Sequence, residues 1–315
     1  MNLAWRSFTK RLIQWAVVIA TIVVVIRVGS QRGSDLQGLD VDLKFFWLGS
    51  AAVATATANL LLPMGWNYLI ASFGSGLATG RAIRLWCLAQ TARYVPTGLL
   101  AVVSRVQLAT KEGISRSLTL ASVAAETGAL LCWSVVFCAL FVPSTTFPEL
   151  VRWLAGSCSA LILFCSPWLI RRVPQSFPIL RTIGTVAPDS SLLVRAFGLW
   201  GVSVAVRGVG TVCLAAGFLT LYSDDVPLVI GAMYAAVVAG MIGITPAGLG
   251  VREGVMTAIL ASRFGLADAA AFSLFVRAWE FGSEMLFLGA ASWWGRHRKS
   301  PTQSGMDSEI ADGKL

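Results

Sequence analysis

Residues Val226–Gly254 read VPLVIGAMYAAVVAGMIGITPAGLGVREG. The first part, Val226–Ile244, carries no charge. It approaches the roughly 20 mainly apolar residues that a bilayer-crossing helix needs. The pattern then breaks at Pro246-Ala247-Gly248-Leu249-Gly250. Proline removes a backbone donor and glycine loosens a helix. Arg252 and Glu253 follow at once, with no polar loop between. A soluble core has no use for so long an uncharged run, and a simple spanning helix has no use for the break. Irregular backbone at membrane depth is tolerated only when buried in protein or lining a wet cavity. The stretch therefore reads as two helices meeting at a break inside a membrane domain.

The rest of the chain has the same character. Of its 315 residues 56% are hydrophobic and 13% charged, about half the charged share of a soluble domain, which is near 25%. Long apolar blocks occur at Leu12–Val28, Phe45–Phe73, Ser117–Val142, Leu150–Ile170, Leu193–Tyr222 and Ala267–Trp294. The first follows Arg6, Lys10 and Arg11 as a secretory signal would, but Arg27 and Arg32 flank it and more spans follow. It reads as an uncleaved first helix. The formal charge of +9 reflects basic residues on the cytoplasmic side of a membrane protein, not nucleic-acid binding. All six cysteines lie in apolar blocks, and the only histidine is His297. No metal site, cofactor or histidine-based triad is expected. Most tryptophans, among them Trp47, Trp66, Trp86, Trp153 and Trp168, read as anchors at the membrane interface.

Basic clusters at Arg6/Lys10/Arg11, Arg81/Arg84/Arg93, Arg105/Lys111/Arg116, Arg171/Arg172/Arg181 and Arg296/Arg298/Lys299 alternate with acidic or mixed loops at Asp35–Lys44, Glu149, Asp224/Asp225 and Asp268. The positive-inside rule puts the clusters and both termini in the cytoplasm of a cell-membrane protein. Two segments then begin and end on one side: Gly80–Arg116, broken at Pro96-Thr97-Gly98, and Val226–Asp268, broken at Pro246. Each is expected to be a re-entrant helical hairpin.

The two breaks resemble one another. Each is followed by an arginine, Arg105 or Arg252, and then by a long helix with Glu-x-Gly, Glu126-Thr127-Gly128 or Glu280-Phe281-Gly282. Each half holds three spans and one hairpin, so the second half is inverted relative to the first. The expected architecture is an all-α polytopic membrane protein with about six spanning helices plus two re-entrant hairpins. Its single transmembrane domain covers residues 1–299, with repeats near 12–142 and 150–294 and a disordered cytoplasmic tail at 300–315.

Charges at bilayer depth cost about 2.5–3.5 kcal/mol each on insertion scales and mark functional sites by default. Glu126 and Arg207 fall inside apolar blocks, and Arg277, Glu280 and Glu284 share one face of the last helix. Pairing for stability, Arg277 with Glu280 or Arg105 with Glu126, is one reading. The other is a cavity in which arginines receive an anionic headgroup and glutamates hold them when it leaves. The candidate binding residues are Arg93, Arg105, Glu126, Arg207, Arg252, Glu253, Arg277, Glu280 and Glu284. The candidate hinges are Pro96, Gly98, Pro246, Gly248 and Gly250.

Arg93-Tyr94-Val95-Pro96-Thr97-Gly98, Arg105, Glu126 and Gly248-Leu249-Gly250-Val251-Arg252-Glu253-Gly254 together resemble the flippase-like transmembrane family, which includes the membrane region of lysylphosphatidylglycerol synthases. The resemblance runs from about Leu12 to Trp294. The family usually shows Pro-Gly where this chain has Pro96-Thr97-Gly98. The resemblance implies movement of anionic lipids or lipid-linked sugars between leaflets. The chain ends soon after the last span, so lysyl transfer is not expected, and a partner enzyme that makes the lipid is, with self-association a further option. The leading expectation is a flippase or carrier for an anionic phospholipid or a polyprenyl-phosphate-linked glycan. The alternatives are a membrane-embedded lipid- or glycan-modifying transferase with Glu126 or Glu253 as base, and a non-transporting subunit of such an enzyme.

Overall fold

The computed structural model describes residues 44–91, 100–144, 146–176, 188–242, 248 and 250–297. The expected first span Leu12–Val28, the candidates Arg93, Pro96, Gly98 and Pro246, and the tail 300–315 lie outside the described residues. Helices form at α1 Phe45–Ser72, α2 Thr79–Thr91, α3 Leu100–Lys111, α4 Arg116–Phe141, α5 Glu149–Ser176, α6 Ser190–Phe218, α7 Val226–Ile242, α8 Val251–Phe264 and α9 Leu266–His297. A 3-10 turn, Ser223–Asp225, leads into α7. No strand occurs among the described residues. Among the described residues five helical segments, α1, α4, Glu149–Arg171 of α5, α6 and Ser223–Ile242, are long and apolar enough to cross a membrane. The chain is an all-α polytopic membrane protein.

The exterior agrees with that assignment. Phe164 on α5 is 85% exposed, and Leu161, Ile162 and Trp168 are exposed beside it. A soluble protein rarely exposes a contiguous apolar face of that kind, whereas lipid tails solvate it. The helix boundaries follow local chemistry. Ser115 caps α4 by accepting the Leu118 N–H at 3.2 Å. Asp189 caps α6 by accepting the Ser191 N–H at 2.8 Å. That hydrogen bond holds the exposed Asp189 carboxyl below its ordinary value, so the cap is in force at neutral pH and is lost as pH falls through the lowered value.

The centre of the bundle is the packing of α1 against α6, the most extensive in the structure. The two helices run antiparallel. Gly217 meets Trp47 and Leu48, Gly210 meets Ala54, and the Trp200 ring lies on Gly65. At the far end the Asp189 N–H donates to the Ser72 carbonyl at 3.0 Å. Between these points Ser203 Oγ donates to the Ala58 carbonyl at 2.9 Å, and Trp200 Nε1 to that of Leu62 at 3.3 Å. Around this pair α2 packs on α3 and α3 on α4, while α7 packs on α8 and α8 on α9. α1 touches α2, as α6 touches α7. α4 touches α7 and α6, and α9 touches α2 and α1.

The α2–α3 and α7–α8 pairs each start and finish at one end of the bundle. Arg81 at the start of α2 lies 3.4 Å from Glu112, just past the end of α3. Asp225, just before α7, accepts Arg263 Nε at 2.6 Å and Nη2 at 3.2 Å from the last turn of α8. The two clamps sit at opposite ends. Arg81 is beside the Ser72 end of α1, and Asp225 follows the Phe218 end of α6.

Close approach in the bundle rests on missing side chains. A Cβ at Gly231 of α7 would lie 2.7 Å from the backbone nitrogen of Val142, which cannot swing away. Gly128 of α4 has nothing within 4 Å of the same position. Gly231→Ala is therefore expected to destabilise the protein by about 1–3 kcal/mol. Gly128→Ala is expected to be neutral or to gain about 0.5–1 kcal/mol from helix propensity. Unfolding midpoints of the two variants in detergent check both.

Candidate functional site

The break at Pro246 ends in two glycines with left-handed backbone, Gly248 at φ +69° and Gly250 at φ +83°. Only glycine holds that conformation without strain. The chain turns there and starts α8 at Val251, so Arg252 and Glu253 fall in its first turn. Glu253 Oε2 accepts the Gly250 N–H at 2.7 Å, a carboxylate at the positive end of the helix. Arg252 lies flat between the turn and α7. A Cβ on Gly240 would strike its side chain, and one on Gly248 would approach its Nε to 3.2 Å.

α9 supplies Arg277 and Glu280 one turn apart, and α6 supplies Arg207. Glu280 is the meeting point. Its carboxylate lies 3.7 Å from Arg207 Nη1, 3.8 Å from Arg252 Nη1 and 3.5 Å from Arg277 Nη1. Arg277 Nε also lies 3.4 Å from Glu253 Oε1. Arg207 Nη2 donates to Asn59 Oδ1 of α1 at 2.8 Å. The contacts to Glu280 exceed the 2.7–2.9 Å of a charge-assisted hydrogen bond. Three guanidinium groups thus share one carboxylate.

A small cleft, partly continuous with the outside, borders this group. Arg252, Glu253, Arg277 and Glu280 line one part of it, and Met233 and Met256 line another. Arg207 stands 11 residues before the end of α6, about 16 Å from that end at 1.5 Å per residue. The group therefore sits at bilayer depth. Three arginines against two glutamates leave it one net positive charge.

Arg105 and Glu126 form a second, different group. Arg105 Nη1 donates to Glu126 Oε2 at 2.5 Å, and both side chains are 6% exposed. Trp86 Nε1 donates to the other carboxylate oxygen at 3.1 Å. The guanidinium lies 5.3 Å from the Trp86 ring and 5.7 Å from that of Trp66. Trp66 Nε1 is held by Ser122 Oγ at 2.9 Å. Trp66, beside Arg105, and Asn59, beside Arg207, are seven residues apart on α1, about 10 Å along its axis. The charged residues expected to share one cavity thus divide between two depths.

Glu284, one turn beyond Glu280, is half-buried and does not line the cleft. Arg93 lies outside the described residues. Trp66 and Trp86 are not interface anchors. They are 0% and 6% exposed, because the buried arginine needs their ring faces and the carboxylate needs an indole N–H. Trp153 and Trp168 are exposed. Asn59 and Gly240 escaped the sequence reading. The signal for Asn59 was an amide in the middle of a mainly apolar block. Among the described residues no cluster of three His, Cys, Asp or Glu side chains is placed to hold a metal ion.

No known protein family, curated protein or solved structure matches the chain.

Removing one partner of a buried ion pair strands the other and costs about 3–5 kcal/mol, whereas replacing both by apolar residues is often neutral. Arg105→Met is expected to lower stability by that amount. Arg105→Met with Glu126→Leu is expected to recover most of it. Denaturant unfolding of the single and double variants checks the pair.

Proposed function

We propose that the chain is a carrier that moves a lipid with an anionic headgroup, an anionic phospholipid or a polyprenyl-phosphate-linked glycan, between the leaflets of the cell membrane. The observation that carries this reading is the convergence of Arg207, Arg252 and Arg277 on Glu280 beside a cleft at bilayer depth. Burying three guanidinium groups has no structural necessity, and three apolar residues would insert at far lower cost. The planar guanidinium fork matches phosphate oxygens. An arriving phosphate displaces the arginines from Glu280. When it leaves, Glu280 and Glu253 take them back. A site near charge balance binds and releases, whereas a purely cationic one would hold its anion.

An inverted repeat supports the same reading. Exchanging α1 with α6, α2 with α7, α3 with α8 and α4 with α9 turns each contact between these helices into another that is also present. The counterparts α1 and α6 are antiparallel, so a relation that exchanges them inverts the chain through the membrane plane. The clamps Arg81–Glu112 and Asp225–Arg263 hold each short-helix pair at opposite ends of the bundle. This favours two re-entrant hairpins entering from opposite sides, with Gly248 and Gly250 as hinges of the second. Transporters of this architecture place their substrate site where such broken helices meet. The surplus of Arg81, Arg84, Lys111, Arg116 and Arg171 at one end favours the cytoplasmic side for that end.

Two experiments test these statements. Single cysteines placed in a cysteine-free background at Arg81 and Lys111 are expected to react with an impermeant thiol reagent from the cytoplasmic side, and cysteines at Asp224 and Asp268 from the other. Reaction of the first two from opposite faces removes the first hairpin and with it the repeat. In liposomes, Arg252→Gln is expected to slow the movement of labelled phosphatidylglycerol at least about tenfold, or ~1.4 kcal/mol. Its unfolding midpoint is expected to stay within about 4 °C. Movement at the unaltered rate abolishes the headgroup mechanism.

A further inference from the structure

We propose that the Arg105–Glu126 pair is a second station for the same headgroup phosphate, shut in this conformer, and that it opens when the Arg252–Glu280 cleft shuts. The inference rests on the carrier reading. Both pairs join the second short helix of a half to the long helix that follows: α3 to α4 through Arg105–Glu126, and α8 to α9 through Arg252–Glu280. These helices are counterparts under the exchange that preserves the packing. Yet the two pairs are in opposite conditions. Arg105 and Glu126 touch at 2.5 Å and are 6% exposed. Arg252 and Glu280 stand 3.8 Å apart and are 25% and 18% exposed beside an open cleft. Two halves assembled from the same parts, one closed and one open, are what a carrier presents in one of two mirrored states. The other state interchanges them.

The closed station has the chemistry to receive a phosphate. Arg105 offers a planar fork. Trp86 Nε1–H, which now donates to Glu126, offers another donor. Gln90 follows Trp86 by one helical turn on the same face of α2 and is 9% exposed. Trp66 and Trp86 supply flat walls on either side of the guanidinium. On opening, the phosphate takes Arg105 and Trp86 from Glu126, as it takes the arginines from Glu280 in the other half. The station lies towards the Arg81–Glu112 end of the bundle, so it opens to that side. The two stations, about 10 Å apart along α1, divide the crossing into two short transfers.

The test uses the full chain in liposomes. Gln90→Cys in a cysteine-free background is exposed to an impermeant maleimide, in phosphatidylcholine alone and with phosphatidylglycerol added. Labelling from the Arg81 side, several-fold faster with phosphatidylglycerol, is the expected result. Labelling that is absent or equal in both lipids overturns the inference. Arg105→Met with Glu126→Leu replaces the station by an apolar contact and is expected to lose phosphatidylglycerol movement at least tenfold. A folded double variant that moves lipid at the unaltered rate overturns the inference, and if it does not fold the thiol measurement decides. Should the unaltered protein move no lipid, the carrier reading fails separately, and a lipid-dependent thiol response still supports the second station.

Discussion

A guanidinium group cannot shed its charge at any ordinary pH, and at bilayer depth it has little water to lean on. Every arginine carried into the bundle must therefore bring its own polar surroundings. Much of the internal arrangement follows from that demand. Arg105 takes a carboxylate and two indole faces. Arg207 takes the amide of Asn59 and a share of Glu280. Arg252 needs the bare surface of Gly240 and the left-handed turn at Gly248 to lie flat against α7. The two groups meet the same demand in different ways. One is saturated and sealed, and the other is shared and open to a cleft. Sealed pairs contribute little net stability but are costly to break.

The frame that holds these groups is the antiparallel packing of α1 on α6. Small residues let it close. Gly65 admits the Trp200 ring and Gly210 admits Ala54. Side-chain donors cross between the helices to carbonyls at Ala58 and Leu62. Pro63 in α1 removes the N–H that would serve the carbonyl of Asn59, close to where Arg207 meets the Asn59 side chain. Membrane helices cannot rely on a hydrophobic drive towards one another, so close packing and hydrogen bonds carry their association. α2, α3, α7 and α8 pack around this pair, and an ion pair ties the start of α2 to the end of α3 and the start of α7 to the end of α8. The ties differ in strength. Asp225 grips Arg263 through two hydrogen bonds, whereas Arg81 and Glu112 make a single, more exposed contact. The pair with the firmer outer tie is also the one whose inner turn, at Gly248 and Gly250, adjoins the cleft.

Much of this was legible from residue order, because membrane insertion constrains composition directly. The apolar blocks at Phe45–Phe73, Ser117–Val142, Leu150–Ile170 and Leu193–Tyr222 match four long helices within a few residues. The break before Arg252 falls where α7 gives way to α8, since the cost of proline and glycine in a helix is local and needs no partner. The pairing of Arg105 with Glu126 was open to reading for a similar reason: a buried charge requires an opposite one. The roles of Trp66 and Trp86 were not, because an indole is equally at home at an interface and over a buried cation. Near the end of a span the residue type alone does not separate the two.

Sequence by itself determined that the chain crosses a membrane, that a helix ends before Arg252 and that charges lie within its apolar blocks. Each of these follows from transfer free energies and backbone limits that act residue by residue. Only the tertiary structure decided how the charges are distributed. Arg207 reaches Glu280 across 73 positions and Asn59 across 148, and neither contact follows from spacing along one helix. Which faces oppose one another depends on the register of α1 against α6 and on where glycines let helices approach. That register is a property of the assembled surfaces. It placed Arg105 with Glu126 in a sealed box at one depth, and Arg207, Arg252 and Arg277 around one shared carboxylate at another.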